Sequence, residues 1–180
     1  DASLSSRPME RVLKPLREMG VTADTAPGGR LPAIIRGGNL KAIRYAPPEA
    51  SAQVKSAIML AGLRADGVTV VEEKEATRDH TERMLRAFGV EVGVEERSAG
   101  GPVVSVRGGQ MLKALKAEVA GDPSSAAFAL AMALIAGEGG ASVTGMLDNR
   151  TRTGFIDAAK AMGADLRTEE DGQATGEDTV

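Results

Sequence analysis

Cysteine is absent from the 180-residue sequence, which removes disulfides and thiolate metal sites and fits a reducing compartment. Tryptophan is absent too, and aromatic residues make up only 2% of the chain. Any core must therefore be built from Ala, Val, Leu, Ile and Met, and the stacking platforms that hold nucleic-acid bases are missing. The lone histidine, His80, cannot by itself build a zinc site. Positive charge is not in excess: 22 Lys and Arg face 25 Asp and Glu, for a net charge of −3, so a general nucleic-acid partner is not expected. Long apolar runs are lacking as well. The longest, residues 126–136, is 11 residues, whereas a membrane span takes about 20. The opening DASLSSRPMERV is polar and carries no secretory pattern. The expectation is a cytoplasmic protein with no membrane partner.

What is present reads as an ordinary globular chain, 42% apolar and 26% charged, long enough to bury a core as one domain or as parts of two. One unit recurs along it. Residues 77–92 read TRDHTERMLRAFGVEV and residues 151–166 read TRTGFIDAAKAMGADL, with their Gly89 and Gly163 separated by 74 positions. A third copy, RVLKPLREMGVTA, ends its helical run at Gly20, 69 positions before Gly89. Self-similarity at one period means one supersecondary unit used several times. With Asp as first residue, the expectation is a segment of something longer.

Each copy has a common order: an apolar helix, a Gly-bearing turn, a β-branched strand, an amphipathic helix stopped by Gly, and a hairpin. In the middle copy these are a helix over 51–63, a turn at Asp66-Gly67 and a strand over 68–71. A helix over 79–88 follows, with Met84, Leu85 and Phe88 on one face, and then strands 90–94 and 103–106. Gly89 is the expected left-handed stop. The next copy starts at Asp122-Pro123, a preferred N-cap followed by Pro at the first helical position. Its helix, apolar on every side over 126–136, is expected to be enclosed by protein. Val143-Thr144 is read as its strand and 153–162 as its second helix. The first copy is cut at its start, with a helix over 8–19 that Pro15 bends and with residues 33–35 in its hairpin. Residues 111–121 are the expected crossing between domains, and the polar tail 169–180 is read as frayed or cut short.

The polar residues that differ between copies are the candidates for chemistry. Ser51 stands where an N-cap is needed. Gln53 lies in an otherwise apolar stretch, where an amide without a partner is costly. Arg78 precedes a helix start, a place the helix dipole makes unfavourable for a cation unless an anion lies nearby. Arg152 occupies the equivalent place in the next copy and is read as structural. Arg7, before Pro8, reads from its own residues as a surface arginine. Lys55 and Ser56 are expected to pack or pair, His80 to be non-catalytic, and Asp122 to cap. Gly108-Gly109 matches neither GxGxxG nor a P-loop, so nucleotide binding is unsupported.

Arg7-Pro8-Met9, Ser51-Ala52-Gln53-Val54-Lys55-Ser56-Ala57, Thr77-Arg78-Asp79-His80-Thr81-Glu82 and Gly121-Asp122-Pro123-Ser124-Ser125-Ala126 occur in one order over nearly the whole chain. Together they resemble the 5-enolpyruvylshikimate-3-phosphate (EPSP) synthase family, and SAQVKSA is similar to its glyphosate-tolerant class. The resemblance covers only the middle of the family's length. It implies a mixed α and β fold of repeated βαβαββ units, the two-domain α/β prism, incomplete at both ends. Residues 1–120 would be part of the N-terminal, shikimate 3-phosphate-binding domain, and 121–180 the first unit of the C-terminal domain.

The implied reaction transfers the enolpyruvyl group of phosphoenolpyruvate to the 5-hydroxyl of shikimate 3-phosphate, with loss of phosphate and without cofactor or metal. Two anionic substrates call for fixed, permanently charged donors and for helix starts with unpaired N–H groups. By resemblance, Ser51 holds the phosphate of shikimate 3-phosphate, Ala52 offers its backbone N–H, and Gln53 contacts both substrates. Arg78 meets the same phosphate and Arg7 grips phosphoenolpyruvate. The family's catalytic carboxylates and lysines would lie outside this window, so no catalytic residue is expected within it and the segment alone is expected to be inactive. Two other readings stand beside this one: a non-catalytic anion-binding fragment, and a relative of the UDP-N-acetylglucosamine enolpyruvyl transferase.

Overall fold

The computed structural model of the chain describes residues 2–137 and 139–169. They divide into two compact units, the first ending at Lys113 and the second beginning at Ala114. The division falls inside the exposed stretch 111–119, which has no regular secondary structure.

The first unit runs α1 (Ala2–Ser5), α2 (Glu10–Glu18), β1 (Thr22–Ala26), β2 (Arg30–Arg36), β3 (Arg44–Tyr45), α3 (Ala52–Gly62), β4 (Val68–Glu72), α4 (His80–Ala87), β5 (Val92–Glu95) and β6 (Val103–Arg107). Strands β1 and β2 form an antiparallel hairpin of their own. The other four make a sheet in the order β3-β4-β6-β5, parallel between β3 and β4 and antiparallel elsewhere. Parallel neighbours need a crossover, and α3 supplies it. The order β3-α3-β4-α4-β5-β6 is one complete βαβαββ unit. The sequence reading lacked its first strand, because two residues are too few to show any alternation.

Helix α3 sets the core. It buries Val54, Ile58 and Met59 against the inward residues of β4 and β6, Val71, Val104 and Val106, with Met19, Leu63, Ala65, Leu85 and Val90 closing the cluster. Alternation in β4 and β6 is the period of a half-buried sheet. Two glycines let the layers meet. A Cβ at Gly62 would stand 2.9 Å from the Thr69 and Val106 side chains, and one at Gly108 would stand 1.7 Å from the Ala65 carbonyl oxygen. Gly20 and Gly89 stop α2 and α4 at φ of 105° and 83°. In α4 the buried residues are Glu82 and Leu85, while Met84 is 43% exposed, so the expected apolar face is narrower than its sequence pattern.

The second unit contains α5 (Pro123–Ala136) and α6 (Gly154–Ala161). Asp122 caps α5 by accepting hydrogen bonds from the Ser124 and Ser125 N–H groups, and Gly137 ends it at φ 73°. Two expectations are corrected here. Helix α5 is not enclosed: Phe128, Met132 and Ile135 are 81%, 70% and 86% exposed, because α6 covers only part of a helix that is apolar all round. Residues 143–144 do not form a strand, since a β-branched pair without a neighbouring edge has no ladder to join. The pairing sits instead at a parallel bridge between Gly121 and Met146. The tail reading at 170–180 lies outside the described residues. Among the described residues, no helix is long and apolar enough to cross a membrane.

Candidate anion-binding site

The start of α3 is shaped by Ser51. Its extended backbone, φ −150° and ψ 105°, breaks the helix, and its Oγ accepts from the Val54 N–H at 3.4 Å. That contact is long for a hydrogen bond, and the hydroxyl proton stays free to donate. The first N–H groups of a helix have no intrahelical acceptor, which leaves those of Ala52 and Gln53 for a ligand. Ser51 and Ala52 are half-buried and Gln53 is exposed. The Gln53 Oε1 accepts from Arg11 Nη2 at 2.8 Å, which ties α2 to the start of α3.

Arg78 lies in the irregular stretch before α4, half-buried and without a hydrogen-bond or ion-pair partner among the described residues. Just beside it Asp79 pairs with Arg83 at 2.7 Å, and His80 opens α4 half-buried. The Thr77 hydroxyl donates to the Glu73 carboxylate.

Two contacts bring the Ser51–Gln53 end of α3 and the Arg78 stretch together. Ser56 Oγ lies 2.5 Å from Thr81 Oγ1 while also donating to the Ala52 carbonyl at 2.7 Å. Lys55 Nζ pairs with Glu73 at 3.0 Å and Glu82 at 2.6 Å, all three side chains at least 96% buried. Lys55 therefore pairs, as its place in the sequence suggested.

Arg7 is exposed and is not joined to these residues by any hydrogen bond. Its segment is instead pinned by the Met9 N–H, which donates to the Gly29 carbonyl at 2.7 Å. Sequence reasoning missed Arg11, whose only signal was a cation one turn past Arg7. It also missed which carboxylates Lys55 would meet.

The arrangement offers a hydroxyl, an amide, unpaired N–H groups and guanidinium cations, a donor set suited to an oxyanion. Its nearby carboxylates are committed: Glu73 and Glu82 to Lys55, Asp79 to Arg83. No group of three or more His, Asp or Glu among the described residues is placed to hold a metal. A hollow of about 590 Å³ lies along α5 in the second unit and is lined mostly by apolar residues such as Phe128, Met132 and Phe155. Its polar lining residue, Ser124, is engaged by Arg152 and Asp122 rather than open to a ligand's charge. Arg152 there pairs with Asp122 and donates to Ser124 Oγ at 3.0 Å, the structural role expected of it.

Comparison with known proteins bears on these residues. A family pattern described as EPSP synthase (3-phosphoshikimate 1-carboxyvinyltransferase) matches residues 1–179. The 3-phosphoshikimate 1-carboxyvinyltransferase of Hyphomonas neptunium is 54% identical over 178 residues, which is 98% of this chain and 40% of that protein. The enzyme of the same name from Phenylobacterium zucineum is 57% identical over 166 residues, 92% of this chain and 36% of that protein. A solved EPSP synthase from Acinetobacter baumannii superposes with a TM-score of 0.75 at 49% identity, covering 94% of this chain and 38% of that one. The chain thus spans about two fifths of the length of the curated relatives it matches.

Proposed function

The chain belongs to the EPSP synthase family, and on that premise we propose that it serves in transfer of the carboxyvinyl (enolpyruvyl) group from phosphoenolpyruvate to shikimate 3-phosphate. Its part is to bind the phosphate of shikimate 3-phosphate. Ser51 donates its hydroxyl proton, Ala52 and Gln53 their N–H groups, and Arg78 a charge-assisted hydrogen bond. Gln53 meets both substrates through its amide, and Arg7 grips phosphoenolpyruvate. In the transfer, the 5-hydroxyl oxygen bonds to the carbon carrying phosphate, the hydroxyl proton is lost, and phosphate leaves. The proton transfers belong to carboxylates and lysines beyond the stretch described, so residues 1–180 bind and orient without turning over. Cofactor and metal are not required, and the cytoplasm is the proposed location.

The observation that carries this reading is the unpartnered, half-buried Arg78, three residues before the Thr81 hydroxyl that meets Ser56 of the donor-rich helix α3. A cation left free at a helix start is unfavourable unless an anion occupies the place. The relatives named above are 3-phosphoshikimate 1-carboxyvinyltransferases, which speaks against a UDP-N-acetylglucosamine substrate.

Two measurements test the reading. Calorimetry should show millimolar binding of shikimate 3-phosphate to the 180-residue chain and none of UDP-N-acetylglucosamine. Phosphate release should be absent from this chain and present in a full-length enzyme carrying it. Binding without turnover in the full-length enzyme would instead establish the non-catalytic reading.

A further inference from the structure

The Lys55–Glu73–Glu82 cluster is a poor device for stability alone. One cation and two carboxylates are at least 96% buried, and Glu82 Oε2 has no hydrogen-bond partner among the described residues. Removing ions from water costs several kcal/mol each, and apolar side chains of similar volume are commonly as stable or better. A buried carboxylate oxygen without a donor adds to that cost. Buried ionic groups are best attested where they fix one geometry among several. Places where a chain breaks the rules of burial also tend to be functional.

The position of the cluster says which geometry it fixes. Lys55 lies two residues past Gln53 and four past Ser51, on α3. Glu82 lies four past Arg78, on α4, and Glu73 lies five before Arg78, just beyond the end of β4. Glu73 is itself anchored: its carboxylate accepts from the Thr77 hydroxyl and its carbonyl from Arg97, whose Nε also donates to the Gly101 carbonyl at 2.7 Å. No bond joins Ser51 or Gln53 directly to Arg78. Their spacing is transmitted through Lys55 and, beside it, through Ser56 and Thr81.

We infer that Lys55, Glu73 and Glu82 are positioning residues, which set the distance from Ser51 and Gln53 to Arg78 and thereby the fit of the shikimate 3-phosphate phosphate. This rests on the function proposed above. Apolar packing tolerates small sliding of a helix on a sheet, whereas an ammonium held by carboxylates from two segments does not. The cluster therefore makes the pocket stiff at the one place where donors from different elements must converge on one anion.

The test uses full-length enzyme carrying this segment. A charge-free variant of similar size, Lys55→Met with Glu73→Gln and Glu82→Gln, is made with and without Arg78→Ala, and Ser56→Ala is treated likewise. The charge-free variant should raise KM for shikimate 3-phosphate about tenfold or more while KM for phosphoenolpyruvate stays within about twofold. With Arg78 already removed, the same change should cost under about threefold, since nothing is left to position. A folded charge-free variant with the parent's KM for shikimate 3-phosphate, or a penalty that adds fully to that of Arg78→Ala, overturns the inference. Should that variant not fold, Ser56→Ala decides: loss of its effect when Arg78 is absent supports positioning, and an unchanged effect refutes it. If Arg78→Ala alone leaves KM untouched, the functional reading itself fails and the positioning role falls with it.

Discussion

Arg11 on α2 donates from Nη2 to the Oε1 of Gln53 at 2.8 Å, although the two residues are 42 positions apart. A guanidinium has donors only, so this bond settles which way the amide faces: oxygen toward Arg11, the NH2 group toward the open side. Replacing Arg11 by Met should leave the fold intact and free the amide to flip. Affinity for shikimate 3-phosphate, measured by calorimetry, should fall by about 0.5–1.5 kcal/mol. An unchanged affinity would mean that Gln53 needs no orientation.

Arg78→Ala should cost about 1.5–3 kcal/mol in shikimate 3-phosphate affinity, the range of charge-assisted contacts. Gln53→Ala should cost less, being neutral, and His80→Ala should stay within about 0.5 kcal/mol. The titrations are to be run at constant ionic strength. The reverse order, with His80 mattering and Arg78 not, would show that the family roles do not map onto these residues.

Gly108→Ala should destabilise the first unit by more than about 2 kcal/mol, because the new methyl would overlap the Ala65 carbonyl oxygen, a backbone atom that cannot turn aside. Gly109→Ala is the useful comparison, since a Cβ there meets no atom and only its φ of 80° is strained. Urea unfolding of both variants should rank Gly108→Ala as the more damaging.

At the start of α5, partial desolvation acts upward on the Asp122 carboxyl. Hydrogen bonds from the Ser124 N–H, Arg152 and Ser125 outweigh it and hold the group below the usual carboxylate range. A carboxyl lowered in the folded state stabilises above its unfolded pKa, about 3.9, and that contribution is lost as pH falls through the folded value. Amide chemical shifts of residues 124–126 should therefore stay helical on acidification until below the ordinary Asp range. In Asp122→Asn the same shifts should be insensitive to pH there.

Tyr45 is the single tyrosine of the chain and no tryptophan obscures it. Burial, and secondarily the charge of Glu18, raise its pKa above the ordinary tyrosine value of about 10. Its neutral form is favoured on folding, so this stability is present below the unfolded pKa and lost as pH rises through the folded one. Phenolate absorbance of the native chain should appear at higher pH than that of the chain in urea. Coincident titrations would contradict the burial of this ring.

Punctuation was the most legible layer of the sequence. Asp122 and Ser51 announce helix starts and Gly20, Gly89 and Gly163 announce ends because caps and left-handed stops are local chemistry. Features that depend on a distant partner were not legible. Arg44–Tyr45 becomes a strand only because β4 lies beside it, and Val143-Thr144 fails to become one for want of such an edge. Composition made α5 a helix to be enclosed, but enclosure is supplied by other elements, and those described cover it only in part. For the site, residue types pointed to Ser51, Gln53 and Arg78. The partners Arg11, Glu73 and Glu82 could not be read, since pairing across 42, 18 or 27 positions follows from the fold and not from spacing.

Lys55 is only 1% exposed, so its amine is hidden from any reagent dissolved in the surrounding water. Acylating labels should mark Lys14, Lys41, Lys74 and Lys160 at once and leave Lys55 untouched until α3 and α4 part. The rate at which that one amine is labelled then becomes a clock for local opening of the pocket, readable by mass spectrometry without any substrate present.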